Sequence, residues 1–213
     1  MKITILTDNS NSWILPYVKV LEDTLRLEGE IFHVLDGEDV QEGDILFILS
    51  CERILKQDVL KRNTHNVVVH PSKLPQGKGW SPLAWQVLEG SNRIPISLFE
   101  VTEEVDAGDI YILDYIDLKG TELNDEIKKL QGFKTVEMCL KFIAGIDTLK
   151  PTSQKGEESF YPKRTKKSSE LDVDKTIDEN FNLLRVVDNE RYPAYFYMKE
   201  KKYMLKIWEC EDE

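Results

Sequence analysis

The chain has 213 residues, with 28 Lys and Arg against 39 Asp and Glu, a net charge of −11, and 41% apolar residues. That apolar share suffices for a packed core and excludes a chain disordered throughout. The acidic balance argues against a broad electrostatic grip on tRNA or DNA, which depends on Lys and Arg facing phosphates.

Three cysteines, Cys51, Cys139 and Cys210, offer neither a disulfide framework nor a zinc site, being odd in number and without C-x-x-C spacing. They fit reduced thiols of a cytoplasmic protein. The first strand-like run turns polar by Asp8, too early for a signal peptide. No stretch approaches the ~18 consecutive apolar residues of a membrane span. The expectation is a soluble, cytoplasmic protein with no membrane and no nucleic-acid partner.

In chain order, residues 3–6 read as a buried strand, followed by the polar, cap-rich turn Asp8-Asn9-Ser10-Asn11-Ser12. From 13 to 27, Ile14, Tyr17, Val18, Leu21 and Leu25 recur at helical spacing. Pro16 falls in the first turn, where a missing N–H costs little, and Gly29 ends the helix. Residues 31–35 predict a second strand. Residues 44–49 predict a third, apolar at consecutive positions as in a parallel strand covered on both faces. A short helix at 58–61 and a fourth strand at 66–70 complete an alternation expected of an open α/β sheet.

Residues 71–82 hold three prolines and two glycines and read as a loop, followed by a helix over 83–90 that ends at a glycine. Strands over 96–101 and 110–116 flank the acidic segment 102–109. Ile127, Leu130, Phe133, Val136, Leu140 and Ile143 predict a long amphipathic helix over 123–146. Residues 150–169, with the run Lys163-Arg164-Thr165-Lys166-Lys167, read as a polar loop. Leu171, Ile177, Phe181, Leu184 and Val187 predict one more helix. Residues 194–198 and 203–207 predict a hairpin around Lys199-Glu200-Lys201-Lys202, and 209–213 an acidic tail. The expected architecture is an open, mostly parallel, Rossmann-like α/β sheet over 1–150, with a C-terminal extension of loop, helix and hairpin over 151–213.

Ligands of open parallel sheets bind beyond the carboxyl ends of the strands. The most informative such segment is Val69-His70-Pro71-Ser72-Lys73-Leu74-Pro75-Gln76-Gly77-Lys78-Gly79-Trp80-Ser81-Pro82. A strand-end histidine can donate or transfer a proton near neutral pH, although such a histidine alone is more often structural.

Two segments in order carry a family resemblance. His70-Pro71-Ser72-Lys73-Leu74-Pro75 with Gly79-Trp80-Ser81-Pro82 resembles the loop of folate-dependent formyltransferases. Val105-Asp106-Ala107-Gly108-Asp109 is similar to the Asp-Thr-Gly-Asp loop of that family, whose first aspartate is catalytic. The resemblance covers residues 1–120 and implies N10-formyltetrahydrofolate as formyl donor, His70 and Asp106 as the catalytic pair, and no metal. The loop Leu49-Ser50-Cys51-Glu52-Arg53-Ile54-Leu55 sits where the family cradles the pterin. Cys51, Ile54, Leu55 and Val105 are therefore the expected folate-binding residues. There is one departure: the family asparagine two residues before the histidine is Val68 here. Asn66 shares its strand face but lies ~7 Å further back. A lost oxyanion donor is typically worth ~3–4 kcal/mol, so something must compensate.

Arg164-Thr165, Ser169-Glu170-Leu171-Asp172, Asn182-Leu183-Leu184-Arg185 and Arg191-Tyr192-Pro193-Ala194-Tyr195 resemble the tail of nucleotide-sugar N-formyltransferases, above all short enzymes of the pseudaminic-acid branch. Only the last 63 residues, 151–213, follow the long helix, too few for the C-terminal barrel of tRNA formyltransferases. The expected acceptor is thus a small molecule, a pyrophosphate-linked deoxyamino sugar carried by uridine diphosphate, met by Lys78, Trp80, Arg164 and Arg185. The guanidinium fork suits phosphate oxygens. Formylation of an aminoacyl group on tRNA or a carrier protein is the alternative. A folate-binding relic is disfavoured because His70 and Asp106 are both intact.

Overall fold

The computed structural model describes residues 1–210; residues 211–213 of the expected acidic tail lie outside the described residues. The elements are β1 (Lys2–Leu6), α1 (Leu15–Leu25), β2 (Glu30–Val34), β3 (Gly43–Ile48), α2 (Gln57–Leu60), β4 (Asn63–His70), β5 (Lys78–Gly79), α3 (Pro82–Leu88), β6 (Arg93–Glu100), β7 (Ile110–Asp117), α4 (Asn124–Gly145), β8 (Phe160–Tyr161), α5 (Ile177–Val186), β9 (Ala194–Met198) and β10 (Lys201–Leu205). The main sheet has the order β2-β1-β3-β4-β6-β7. Its first four strands are parallel; β6 runs antiparallel to them, and β7, antiparallel to β6, runs with them again. This is the mostly parallel α/β fold expected.

Alternation along β3 explains why its sequence is apolar throughout. Ile45 and Phe47 enter the large core with Val18 and Leu21 of α1 and Cys139 and Phe142 of α4. Leu46 and Ile48 point to the other face, against Leu6, Val40 and Val59. A strand covered on both sides has no polar face to show. Helix α1 leans on α4, where Gly132 lets the Tyr17 ring approach so closely that a Cβ would meet it at 2.4 Å.

Several expected elements shift. β4 starts three residues earlier than read, at Asn63, because polar Asn63 and His65 pair with Gly43 and Ile45 of β3. The 71–82 loop contains β5, which pairs in parallel with β8 some eighty residues later. Leu171 lies outside α5, its N–H donating to the Tyr195 carbonyl. The helix starts after Thr176, whose hydroxyl accepts from the Glu179 N–H while the Glu179 carboxylate accepts from the Thr176 N–H. The hairpin turn is the pair Lys199-Glu200, both at positive φ, so β10 begins at Lys201. Leu184, Val187 and Ala194 form a small separate core under the C-terminal segment. Among the described residues no helix is long and apolar enough to cross a membrane.

Candidate active site

The chain leaves β1 through α1 to β2 on one side, then returns to place β3 on the other side of β1. That reversal opens a crevice at the carboxyl ends of β1 and β3, where open α/β sheets bind ligands. A cavity of about 680 Å³ lies there. Its walls come from Ser12 and Trp13 after β1, Ser50 to Leu55 after β3, His70 and Pro71 after β4, and Thr102 to Asp106 after β6. Helix α4 adds Gln131 and Thr135, and the C-terminal segment adds Lys163, Arg164, Arg191 and Tyr192.

His70 is the last residue of β4 and is 8% exposed. Its Nε2 lies 2.9 Å from the Gly77 carbonyl, a contact in which the ring N–H donates. The Asp106 carboxylate oxygen is 3.9 Å from the same nitrogen, within ion-pair reach but too long for a hydrogen bond. That oxygen accepts the Gly79 N–H at 2.9 Å. Asp106 itself stands at φ +52°, in the left-handed region, which costs a side-chain-bearing residue about 1–2 kcal/mol. Two glycines are demanded by close approach. A Cβ on Gly108 would meet the Glu100 carbonyl oxygen at 1.6 Å, and one on Gly79 would meet that of Tyr161 at 2.6 Å. The glycine of Asp106-Ala107-Gly108-Asp109 is therefore a packing requirement of the loop that presents Asp106.

Cys51, Ile54, Leu55 and Val105 all line the cavity, with Ile54 and Val105 exposed to it. With Leu49, Phe99 and Val101 they form the apolar part of its lining. Burial, reinforced by the nearby Asp8 carboxylate, pushes the Cys51 thiol up to about 12, and its Sγ contacts the Leu6 carbonyl at 3.4 Å; it is packing, not a nucleophile. Among the described residues no group of three or more His, Cys, Asp or Glu is placed to hold a metal.

Four residues were expected against phosphates or sugar, and the structure divides them. Trp80 and Arg164 line the cavity. The Lys163 ammonium sits 4.0 Å from the Trp80 ring centroid and 2.9 Å from the Glu52 carboxylate. Arg164 donates to the Val186 carbonyl at 2.9 Å while its Nε has no partner, and burial pulls its pKa down. Lys78 does not belong to this set: it is 1% exposed and its Nζ lies 2.5 Å from Glu158, beside the Phe160 ring. Arg185 does not either: 1% exposed, it is spent on the Glu122 carbonyl, Asn92 and Asn182 at 2.9–3.2 Å and the Glu122 carboxylate at 3.4 Å. Sequence alone cannot distinguish an arginine facing a cleft from one neutralising a buried glutamate.

Asn66 does not fill the place left by Val68. Its side-chain amide donates to the Leu60 carbonyl at 2.9 Å, and it does not line the cavity, whereas Val68 does. Three contributors were missed. Arg191 faces the cavity from the tail motif, and Lys128 pairs with Asp188 across it at 2.9 Å. Gln154, behind the Asp106 loop, donates to the carbonyls of Asp106 and Gly108 at 2.9 and 2.8 Å. Nothing local marks Gln154, because its partners lie more than forty residues away.

The fold thus brings a histidine and an aspartate together at the carboxyl edge of a mostly parallel α/β sheet, over a half-apolar cleft. The chain belongs to the formyl transferase family, whose model matches residues 19–138. A methionyl-tRNA formyltransferase from Lachnospira eligens is 26% identical over 173 residues, covering 79% of this chain and 54% of that protein. The chain thus spans about half the length of the curated relatives it matches. Among solved structures, a methionyl-tRNA formyltransferase from Clostridium thermocellum superposes with a TM-score of 0.82 at 20% identity, over 99% of this chain and 94% of that one. A sugar N-formyltransferase from a Shewanella species superposes at 0.71 and 13% identity, over 100% and 99%. At these identities the structural likeness speaks for the fold.

Proposed function

We propose that this chain transfers a formyl group from N10-formyltetrahydrofolate, the donor its family uses, to the amine of a nucleotide-linked deoxyamino sugar. The observation that carries formyl transfer is the placement of His70 and Asp106, two motifs distant in sequence, on one wall of the cavity. The neutral amine attacks the formyl carbon, and charge gathers on the formyl oxygen. This chain supplies a ring N–H at His70 for that oxygen and a carboxylate at Asp106 to take the proton the amine releases and pass it toward the departing nitrogen. With Nε2 turned to the Gly77 carbonyl, Nδ1 is the ring nitrogen left to meet the substrate. Ile54, Leu55 and Val105 would flank the pterin. The donor carbonyl is already activated by its attachment to N10, so no metal is required.

The sugar reading is supported by the opposite wall. In a chain of net charge −11, Lys163, Arg164 and Arg191 converge there beside Trp80 and Tyr192, a cationic and aromatic patch suited to a pyrophosphate and its base. The finer reading, a UDP-linked 4-amino sugar of the pseudaminic-acid type, rests on the tail motifs. The names of the sequence relatives favour a second reading, methionyl-tRNA as acceptor.

One screen separates them: purified protein, formyl-folate, and either UDP- and dTDP-linked 3-amino and 4-amino sugars or methionyl-tRNA and a carrier-bound amino acid. A formyl mass increment on a nucleotide sugar is the expected outcome. Formylation of methionyl-tRNA or the carrier-bound amino acid with no sugar modified would overturn the sugar reading and leave the reacting pair in place.

A further inference from the structure

The segment that follows the long helix returns to the cleft as a strap across the backs of both loops that present the reacting pair. At its start Thr152 exchanges two backbone hydrogen bonds with Ile110, each 2.9 Å. At its end the Ser159 hydroxyl accepts the Gly77 N–H at 2.8 Å. The carbonyls of Ser159 and Tyr161 accept the N–H groups of Lys78 and Trp80 at 2.9 and 3.0 Å. Between these anchors lies Gln154, whose side-chain nitrogen reaches two successive turns of the Asp106 loop. It does not line the cavity.

We propose that Gln154 is a positioning residue for the formyl transfer inferred above: its amide, donating to the Asp106 and Gly108 carbonyls, holds Asp106 in its left-handed conformation and so keeps the carboxylate beside His70. Three observations converge on it. Asp106 stands at φ +52°, a conformation that needs outside support in a residue other than glycine. Both hydrogens of the Gln154 amide are committed to the two carbonyls of that one loop. Its Oε1, in contrast, is buried without a partner, a cost set against the two bonds the amide donates, which lowers the net stability the glutamine contributes. The Gly79 N–H, itself on a strand pinned by the strap, then meets the carboxylate that Gln154 has oriented.

The inference rests on the formyl-transfer reading, and the test separates the two. Gln154→Met keeps length and burial and removes both donors. Its melting temperature should fall only modestly, as the loss of two hydrogen bonds implies, and its binding of a stable formyl-folate analogue should stay close to wild type. Its kcat should fall about tenfold or more with KM little changed, because misplacement of a reacting group slows the chemical step. In an Asp106→Asn background the same substitution should cost less than about twofold, since nothing remains to be positioned. Exchange of the Gly79 amide, which reports the Asp106 carboxylate without turnover, should quicken about tenfold. An unchanged kcat in folded Gln154→Met, or losses that simply multiply with Asp106→Asn, would overturn the proposal. If the wild-type protein formylates no acceptor, the functional reading fails and Gly79 exchange alone judges Gln154, with unchanged exchange overturning it. Should Gln154→Met not fold, Gln154→Asn, one methylene too short to reach both carbonyls, is held to the same outcomes.

Discussion

His70 is held by one backbone carbonyl and Asp106 by one backbone N–H, so each can be altered without opening the core. His70→Asn and Asp106→Asn should each lower kcat at least ~100-fold, the low end for an acid–base group. Turnover near wild type in a folded variant would remove that residue from the mechanism. Arg185 is a contrasting case, because its charge supports Glu122 rather than a ligand. Arg185→Met leaves a buried carboxylate without its counter-ion, a change that typically costs about 3–5 kcal/mol. The lower part of that range applies, since the N–H groups of Lys119 and Gly120 still reach Glu122. Burial alone would push the Glu122 carboxyl up, but those amides and the guanidinium together hold it below its ordinary 4.5. A carboxyl lowered on folding stabilises the protein above its unfolded value, and that stabilisation is lost as pH falls through the folded value. Resistance to urea should therefore fall below about pH 4.5 in the wild type and less steeply in Glu122→Gln, which cannot titrate. Equal acid slopes would remove Glu122 from the acid response.

At the scale of elements, α1 and α4 pack together over the parallel strands, with Gly132 against the Tyr17 ring. Helix propensity predicts that alanine there would stabilise α4 by about 1 kcal/mol. Packing predicts the reverse. The new methyl would lie 2.4 Å from the root of the Tyr17 ring, which is wedged between Trp13 and Phe133 at centroid distances of 6.1 and 5.3 Å. Overpacking of this kind costs about 1–3 kcal/mol. Gly132→Ala should thus melt below wild type, and a rise in melting temperature would show that α1 yields. The same pair of helices explains why residues 123–146 read so clearly as a helix, whereas β5 and β8 could not be read. A two-residue strand has no periodicity, and its partner is eighty residues away.

For the whole molecule, charge bears on the proposed acceptor. The cationic side chains of the cleft stand in a chain of net −11, several already paired with carboxylates, as Lys163 is with Glu52 and Lys128 with Asp188. So few unpaired cations suit the proposed pyrophosphate acceptor better than a long phosphate backbone. At ~150 mM salt, binding of bulk tRNA should be weaker than the ~10⁻⁶ to 10⁻⁴ M of ordinary non-specific binders. Micromolar or tighter binding in a filter or fluorescence assay would turn the acceptor reading toward tRNA.

Sequence by itself determined the α/β order and the parallel strands, because these depend on short-range pattern: apolar runs, helical spacing, glycine-rich turns. His70, Asp106, Cys51, Ile54, Leu55 and Val105 were singled out by the resemblance of their motifs to those of formyltransferases, and the structure brings all six to one cavity. Only the tertiary structure decided which cations face the cleft. Lys78 and Arg185 look from sequence like Arg164, yet a glutamate brought in from distant chain captures each. Tertiary structure alone also placed Gln154 behind Asp106, and excluded Asn66 from the position that Val68 vacates. The physical reason is common to all of these. Local pattern sets which way a side chain leaves its own strand or helix, but the partner it meets is set by chain folded back from far away.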